Sequence, residues 1–298
     1  MSDLVGASSA VGDATALLPW IGLGLASLLA GAVNAVAGGG TIISFPVVAA
    51  LFTGPAALVT ANATSTVGLW AGAVAAAWAY RDQRQAQPAW ARHLLVPSIA
   101  GAALGALLVI VLPARWFEAL VPWLILGAAI LFTIQPRLAA AAFGPPAAPA
   151  TDQLGDRPVG ARVIHGWLAM LAQFLVAVYG GYFGAGIGIL TLALIGGLGI
   201  ADIHRANGVK NLLTMAINGT AAAVFAVASL VSAADSGPAT GGGWGVSWPH
   251  AAVMAVAAVI GSLGGAHAVR RLRPAHVRRL VAAIAFALAG YYLWREYG

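Results

Sequence analysis

This sequence predicts an all-α polytopic membrane protein, built as two inverted repeats of five hydrophobic segments each with broken, short helices near the midplane. Three observations carry that expectation. The 298 residues are 60% hydrophobic and only 8% charged, with a mean hydropathy of +0.88, whereas soluble domains hold about a quarter charged residues. No charged side chain interrupts the run between Asp13 and Arg81. Two glycine clusters, Gly38-Gly39-Gly40 and Gly184-Ala185-Gly186-Ile187-Gly188, each precede an apolar segment too short to cross a bilayer. A β-barrel would alternate apolar and polar residues over short strands, and no such pattern is present.

The segments follow in order. The first runs from about Pro19 to Ala37, and a short one from Thr41 to Thr53 follows the first glycine cluster. Then come Ala56 to Tyr80, Trp90 to Leu112 and Trp116 to Ile134. The stretch from Pro136 to Arg162 contains Gly-Pro-Pro-Ala-Ala-Pro and reads as a flexible linker. Beyond it lie Val163 to Phe183, a short piece from Ile187 to Leu198, Asn207 to Val231, His250 to Val269 and Val277 to Trp294. The expected organisation is a first membrane repeat over 1–135, a cytoplasmic linker over 136–162 and a second membrane repeat over 163–298.

The halves align with each other. Ala37-Gly-Gly-Gly-Thr-Ile-Ile43 matches Gly184-Ala-Gly-Ile-Gly-Ile-Leu190, and Ala61-Asn62-Ala63-Thr64-Ser65-Thr66 matches Ala206-Asn207-Gly208-Val209-Lys210-Asn211. Both matches sit at nearly the same offset, as one repeat with a small loop change would give. Loop charge sets the orientation. Arg81, Arg84, Arg92, Arg137, Arg157, Arg162 and the cluster Arg270, Arg271, Arg273, Arg278 and Arg279 fall on one side, which the positive-inside rule makes cytoplasmic. Both termini then lie outside, and the odd number of segments per half inverts the second half relative to the first. Inverted repeats with broken helices at equivalent places are the build of secondary transporters.

Composition excludes several classes. The net charge of +6 resides in loop arginines and reads as an insertion signal rather than a nucleic-acid surface. The chain has no cysteine, which removes disulfides, thiolate metal sites and thiol chemistry. Asp3 and Asp13 near the start, with no basic flank, are unlike a cleaved signal peptide. All nine Asp and Glu residues fall in termini, loops or segment ends, so no mid-span carboxylate offers a proton relay or a strong cation site. The six histidines lie near segment ends, where an interface explains them without a metal. The expected guest is an anion, with no cofactor and no catalytic residue, and with the lipid bilayer as the other partner. A homodimer stays open.

The glycine breaks are the expected anion site. They free backbone N–H groups at the starts of the short helices, and a helix N-terminus carries partial positive charge. Gly38, Gly39, Gly40, Gly184, Gly186 and Gly188 would let the guest approach the backbone; tight helix packing, as expected at Gly68-xxx-Gly72 and Gly101-xxx-Gly105, is the alternative. Asn34 precedes the first break and Asn218 lies beyond Asn211, each able to contact an oxyanion or to join helices. Thr64, Ser65 and Thr66 offer hydroxyls, and Lys210 and Asn211 stand at the equivalent places in the other half. Lys210, the only lysine, pairs with the substrate or snorkels to the cytoplasmic interface. Arg205 reads as an orientation charge.

The motifs Asn34 to Pro46 with Gly38-Gly39-Gly40, Gly54-Pro55, Ala61-Asn-Ala-Thr-Ser65, Gly180 to Ile189 and Ala206-Asn-Gly-Val-Lys-Asn211 resemble the TauE/SafE sulfite exporter family over nearly the whole chain. The resemblance implies an inner-membrane, multi-pass carrier of small sulfur-containing anions: sulfite, a sulfonate such as sulfoacetate, or thiosulfate. It also carries over the glycine breaks, Thr64-Ser65 and Lys210-Asn211 as substrate contacts. Ile187 stands where the first half has Gly40, so the two tips need not bind alike. A branch of thiosulfate carriers that works through cysteines is out of reach for this chain. The expected function is export of sulfite or an organosulfonate by alternating access. Import of thiosulfate or another oxyanion is the alternative. An intramembrane hydrolase, which would need Ser44 or Ser65 to meet a histidine, is a further one.

Overall fold

The computed structural model describes residues 2–36, 38–81, 89–143, 166–198, 203–236, 244–268 and 274–297. Among them are ten α-helices and a short 3-10 turn, Ala89–Leu94, with no strand. The helices are α1 (Ser2–Val36), α2 (Thr41–Ala49), α3 (Ala57–Ala79), α4 (Leu95–Val111) and α5 (Ala114–Phe143) in the first half. The second half holds α6 (Gly166–Tyr182), α7 (Ile187–Gly197), α8 (Ile203–Ser236), α9 (Trp248–Ala268) and α10 (Pro274–Tyr297). Five of them contain stretches long and apolar enough to cross a membrane, within α1, α4, α5, α8 and α9. The helices run past several sequence boundaries. α5 passes through Pro136 to Phe143, so the start of the expected linker is helical, while 144–165 lies outside the described residues.

Local sequence explains the short pieces. Gly38 and Gly39 adopt φ of +71° and +147°, a region that side-chain-bearing residues avoid, and α1 stops before them. α2 begins after Gly40 and ends ahead of Gly54-Pro55. The chain then turns through Gly54 at φ +94° and Ala56 at φ +63° before α3 starts. In the second half Gly184 and Gly186, both at φ +77°, separate α6 from α7.

Helix pairing interlaces the halves. α1 packs along α9, and α3 packs on the same α9; α6 packs along α4, and α8 packs on the same α4. With α2 on α1 and α3, and α7 on α6 and α8, this makes two four-helix bundles. Each takes three consecutive helices from one half and the fourth helix of the other. Exchanging the halves maps each of these pairings onto another. α5 and α10 pair beside the bundles, α5 touching α7 and α10 touching α2, and the bundles meet where α3 crosses α8.

Small residues make these approaches close. A Cβ on Gly261 or Gly31 would strike the backbone of Leu28 or Ala258, fixing α1 against α9. Gly68 and Gly72 seat α3 on Met254, Ala258 and Ser262 of α9, and Gly101 and Gly105 seat α4 on Ala177 and Tyr182 of α6. The expected small-residue packing is thus present. In lipid, where the hydrophobic effect gives no drive between helices, such van der Waals contact is what holds them together.

Candidate functional site

The two breaks lie in backbone contact. A Cβ on Gly38 would strike Gly188, and one on Gly39 would meet the Phe132 ring and the Gly186 nitrogen, the latter at 3.3 Å. The glycines 38, 39, 40, 184, 186 and 188 are all buried. Only glycine permits this approach, so the clusters named from sequence come together, one from each bundle. Phe45 of α2, Phe117 of α5 and Tyr182 and Phe183 at the end of α6 form an aromatic wall beside them, with Phe132 against Gly39.

Each turn is pinned by a side chain of the helix before it. Asn34 Oδ1 accepts the Gly39 N–H at 3.3 Å, and Gly38 N–H donates to Val33 at 3.1 Å. In the second half Tyr179 donates its hydroxyl to the Ala185 carbonyl at 2.6 Å, while its own carbonyl accepts from Phe183 and Gly184. Among the described residues, the N–H groups of Gly40 and Thr41 in one turn, and of Ala185, Gly186 and Gly188 in the other, have no hydrogen-bond partner. These are the orphan donors expected at the starts of α2 and α7, buried where the breaks meet.

The helix ends on the other side of each break are capped across the seam between the bundles. Lys210, fully buried on α8, donates to the Ala35 and Asn34 carbonyls at the end of α1, at 3.2 and 3.4 Å. Asn62, on α3, donates to the Tyr182 carbonyl at the end of α6 at 3.0 Å. The negative end of a helix dipole favours such donors, and a cation most of all. This corrects the snorkelling alternative for Lys210: its ammonium points inward to a helix end, because the free carbonyls of α1 offer a buried cation the partners that the interface would otherwise supply.

The remaining expected contacts divide. Asn211, beside Lys210, is 2% exposed, and its Nδ2 has no partner. Ser65 pairs with Ser44 of α2, oxygen to oxygen at 3.1 Å, in the bundle of the first break. Thr64 goes elsewhere: its hydroxyl accepts the Ser247 N–H at 3.0 Å, tying α3 to the segment before α9, as Thr60 does with Gly245 at 3.4 Å. The Thr64 hydroxyl accepts that bond and keeps its own proton to donate. Ser44 and Ser65 engage each other, and among the described residues a serine meets a histidine at Ser247, bonded to His250 at 2.7 Å at the start of α9. The nucleophile-and-base pair that a hydrolase requires is not formed at Ser44 or Ser65. Sequence reasoning passed over Asn62, Tyr179 and Thr41. The repeated Ala-Asn pair at Asn62 and Asn207 was the available signal for the first.

Among the described residues the protein is helical, with five helices long and apolar enough to cross a membrane and two touching helix breaks lined by Asn62, Lys210 and Asn211, the build of a multi-pass membrane protein. The comparisons agree and are more specific: the chain belongs to the sulfite exporter TauE/SafE family, whose sequence pattern matches residues 23–292. It is similar to a probable membrane transporter protein of Haemophilus influenzae, 25% identical over 86% of this chain and 87% of the relative. It also resembles the probable membrane transporter protein ORF9 of a Sinorhizobium species, 27% identical over 59% of this chain and 61% of that relative's length. No solved structure matches.

Proposed function

We propose that this chain is a secondary transporter that moves small sulfur-containing anions, sulfite or an organosulfonate such as sulfoacetate, outward across the inner membrane by alternating access. The observation that carries the reading is the meeting of two buried helix starts with unpartnered N–H groups, in a core free of carboxylates. Lys210 and the orphan amides of Gly40, Thr41, Ala185, Gly186 and Gly188 supply positive potential there, with the buried amide of Asn211 beside Lys210. An oxyanion is the guest such donors suit. The family's name supports sulfur chemistry and export.

The packing favours particular moving parts. Rocking one sequence half against the other would tear α1 from α9 and α6 from α4, the most extensive helix contacts among the described residues. Rocking one four-helix bundle against the other keeps those contacts and opens only the seam that holds the breaks. The inverted relation of the halves fits the exchange of pairings under which each helix finds its counterpart's partner.

Counterflow of labelled sulfite and sulfoacetate in proteoliposomes tests the reading. Gly39→Leu, whose side chain would collide with Phe132 at a backbone angle hostile to it, is expected to abolish flux. Lys210→Met, which keeps the volume and removes the charge, is expected to lower it at least tenfold. Full flux in a correctly inserted Lys210→Met protein would remove the site from this seam.

A further inference from the structure

Gly184 differs from Gly38, Gly39, Gly40 and Gly186 in what its open face meets. Carbon atoms or backbone lie nearest the other four. The three atoms nearest a Cβ on Gly184 are all oxygens: the Gly180 carbonyl at 3.1 Å, Asn218 Oδ1 at 3.8 Å and Thr41 Oγ1 at 3.9 Å. They come from α6, α8 and α2, and so from both sides of the seam. Asn218 lies at the centre of the Arg205–Ser232 span. Thr41 and Asn218 are half-buried, and neither side chain has a hydrogen-bond partner among the described residues. The Gly180 carbonyl accepts no backbone bond either, because the Phe183 and Gly184 N–H groups both go to Tyr179.

The oxygens of a backbone carbonyl, a carboxamide and a hydroxyl lie around Gly184, at the negative end of α6. Acceptors so placed suit a cation. Unwound carbonyls at a half-helix end, joined by neutral side-chain oxygens, are how transporters commonly hold a coupling ion. With no carboxylate present, the cage offers too little charge to strip the water from a divalent ion, which leaves a monovalent one. Oxygen ligands sit about 2.3–2.6 Å from a cation of the size of Ca2+, which Na+ closely matches, so Thr41 and Asn218 would have to turn inward to bind it. The first half already has its own solution, since the equivalent end of α1 holds the ammonium of Lys210. The counterpart of Lys210 in the first half is Ser65, so the end of α6 receives no fixed cation, only the neutral amide of Asn62 on the Tyr182 carbonyl.

We propose that the space over Gly184 binds Na+ through the Gly180 carbonyl, Asn218 and Thr41, and that this ion is carried together with the anion. The ion does for α6 what Lys210 does for α1. Co-transport rests on the anion-transport reading above; binding of the ion does not. With a singly charged anion the pair is neutral and net flux follows the product of the two concentrations. With a doubly charged one it carries a net negative charge, which a potential negative inside drives outward against the Na+ gradient.

Thermal unfolding of the purified protein, without any anion substrate, tests the site in NaCl against choline chloride at equal ionic strength. Na+ is expected to raise Tm with saturation in the millimolar range, as a ligand of the folded state does. Asn218→Ala and Thr41→Ala should abolish the rise. Asn218→Asp, which places a carboxylate in the cage, should strengthen Na+ binding at least tenfold. An equal rise in choline, or a Na+ rise retained in both alanine variants, overturns the site. Counterflow with and without Na+ then tests coupling: flux indifferent to Na+ overturns it. Na+-dependent stabilisation in a protein that moves no sulfur anion would sink the transport reading and leave the ion site intact.

Discussion

Lys210 poses the sharpest question about a single side chain, because its structural and functional roles predict opposite results. A buried charge held only by carbonyls is costly, and replacing it with an apolar side chain of similar volume is often neutral or stabilising. Lys210→Met is therefore expected to match or exceed the parent Tm in detergent while losing anion-driven flux. A large fall in Tm with flux unchanged would make the residue a structural cap alone. Asn62 predicts the reverse. Asn62→Ala leaves the Tyr182 carbonyl buried without a donor, and such a loss costs about 1–3 kcal/mol, read as a lower unfolding midpoint. At this scale the sequence disclosed the glycines and the lysine, since glycine runs and a solitary cation stand out in an apolar chain. It could not disclose where Thr64 points. That hydroxyl meets the Ser247 N–H, a residue far along the chain, and only the docking of α9 on α3 brings the two together.

Between elements, the α1–α9 contact is where substitution should be most damaging. Gly261→Val would drive a side chain into the Leu28 backbone, whereas the open face of Gly264 has nothing within 4 Å. The expected outcome is poor yield and a lowered Tm for Gly261→Val, and near-parental behaviour for Gly264→Val in the same helix, checked by size-exclusion chromatography and thermal unfolding. Equal tolerance would mean that the two helices are not in the contact described. The helices themselves were largely legible, because a hydrophobic stretch in lipid has few structures open to it. Their ends were less so. α5 continues through Pro136 because a proline near the end of a long apolar helix need not stop it. The Gly-xxx-Gly spacing announced close packing at Gly101 and Gly105 but could not name the partner, α6.

At the level of the whole molecule, the exchange of fourth helices means that neither half is a folding unit. Residues 1–143 alone would lack α9 for α1 and α3 to pack on, and residues 166–298 alone would lack α4 for α6 and α8. Each fragment expressed singly is expected to be degraded or to aggregate, and the two expressed together to recover stable protein and flux. Stable, monodisperse single halves would contradict the interlaced packing. Matched motifs align the halves in sequence without telling which helix of one embraces which of the other. That order also sets a clock for biogenesis. Gly31 leaves the ribosome far ahead of Gly261, and at about 5–20 residues per second the delay is on the order of tens of seconds. Throughout that wait the small-residue flank of α1 has only lipid, or a chaperone of the insertion machinery, to lean on. Slow translation near the 3′ end of the message would prolong the most vulnerable moment in the life of this protein.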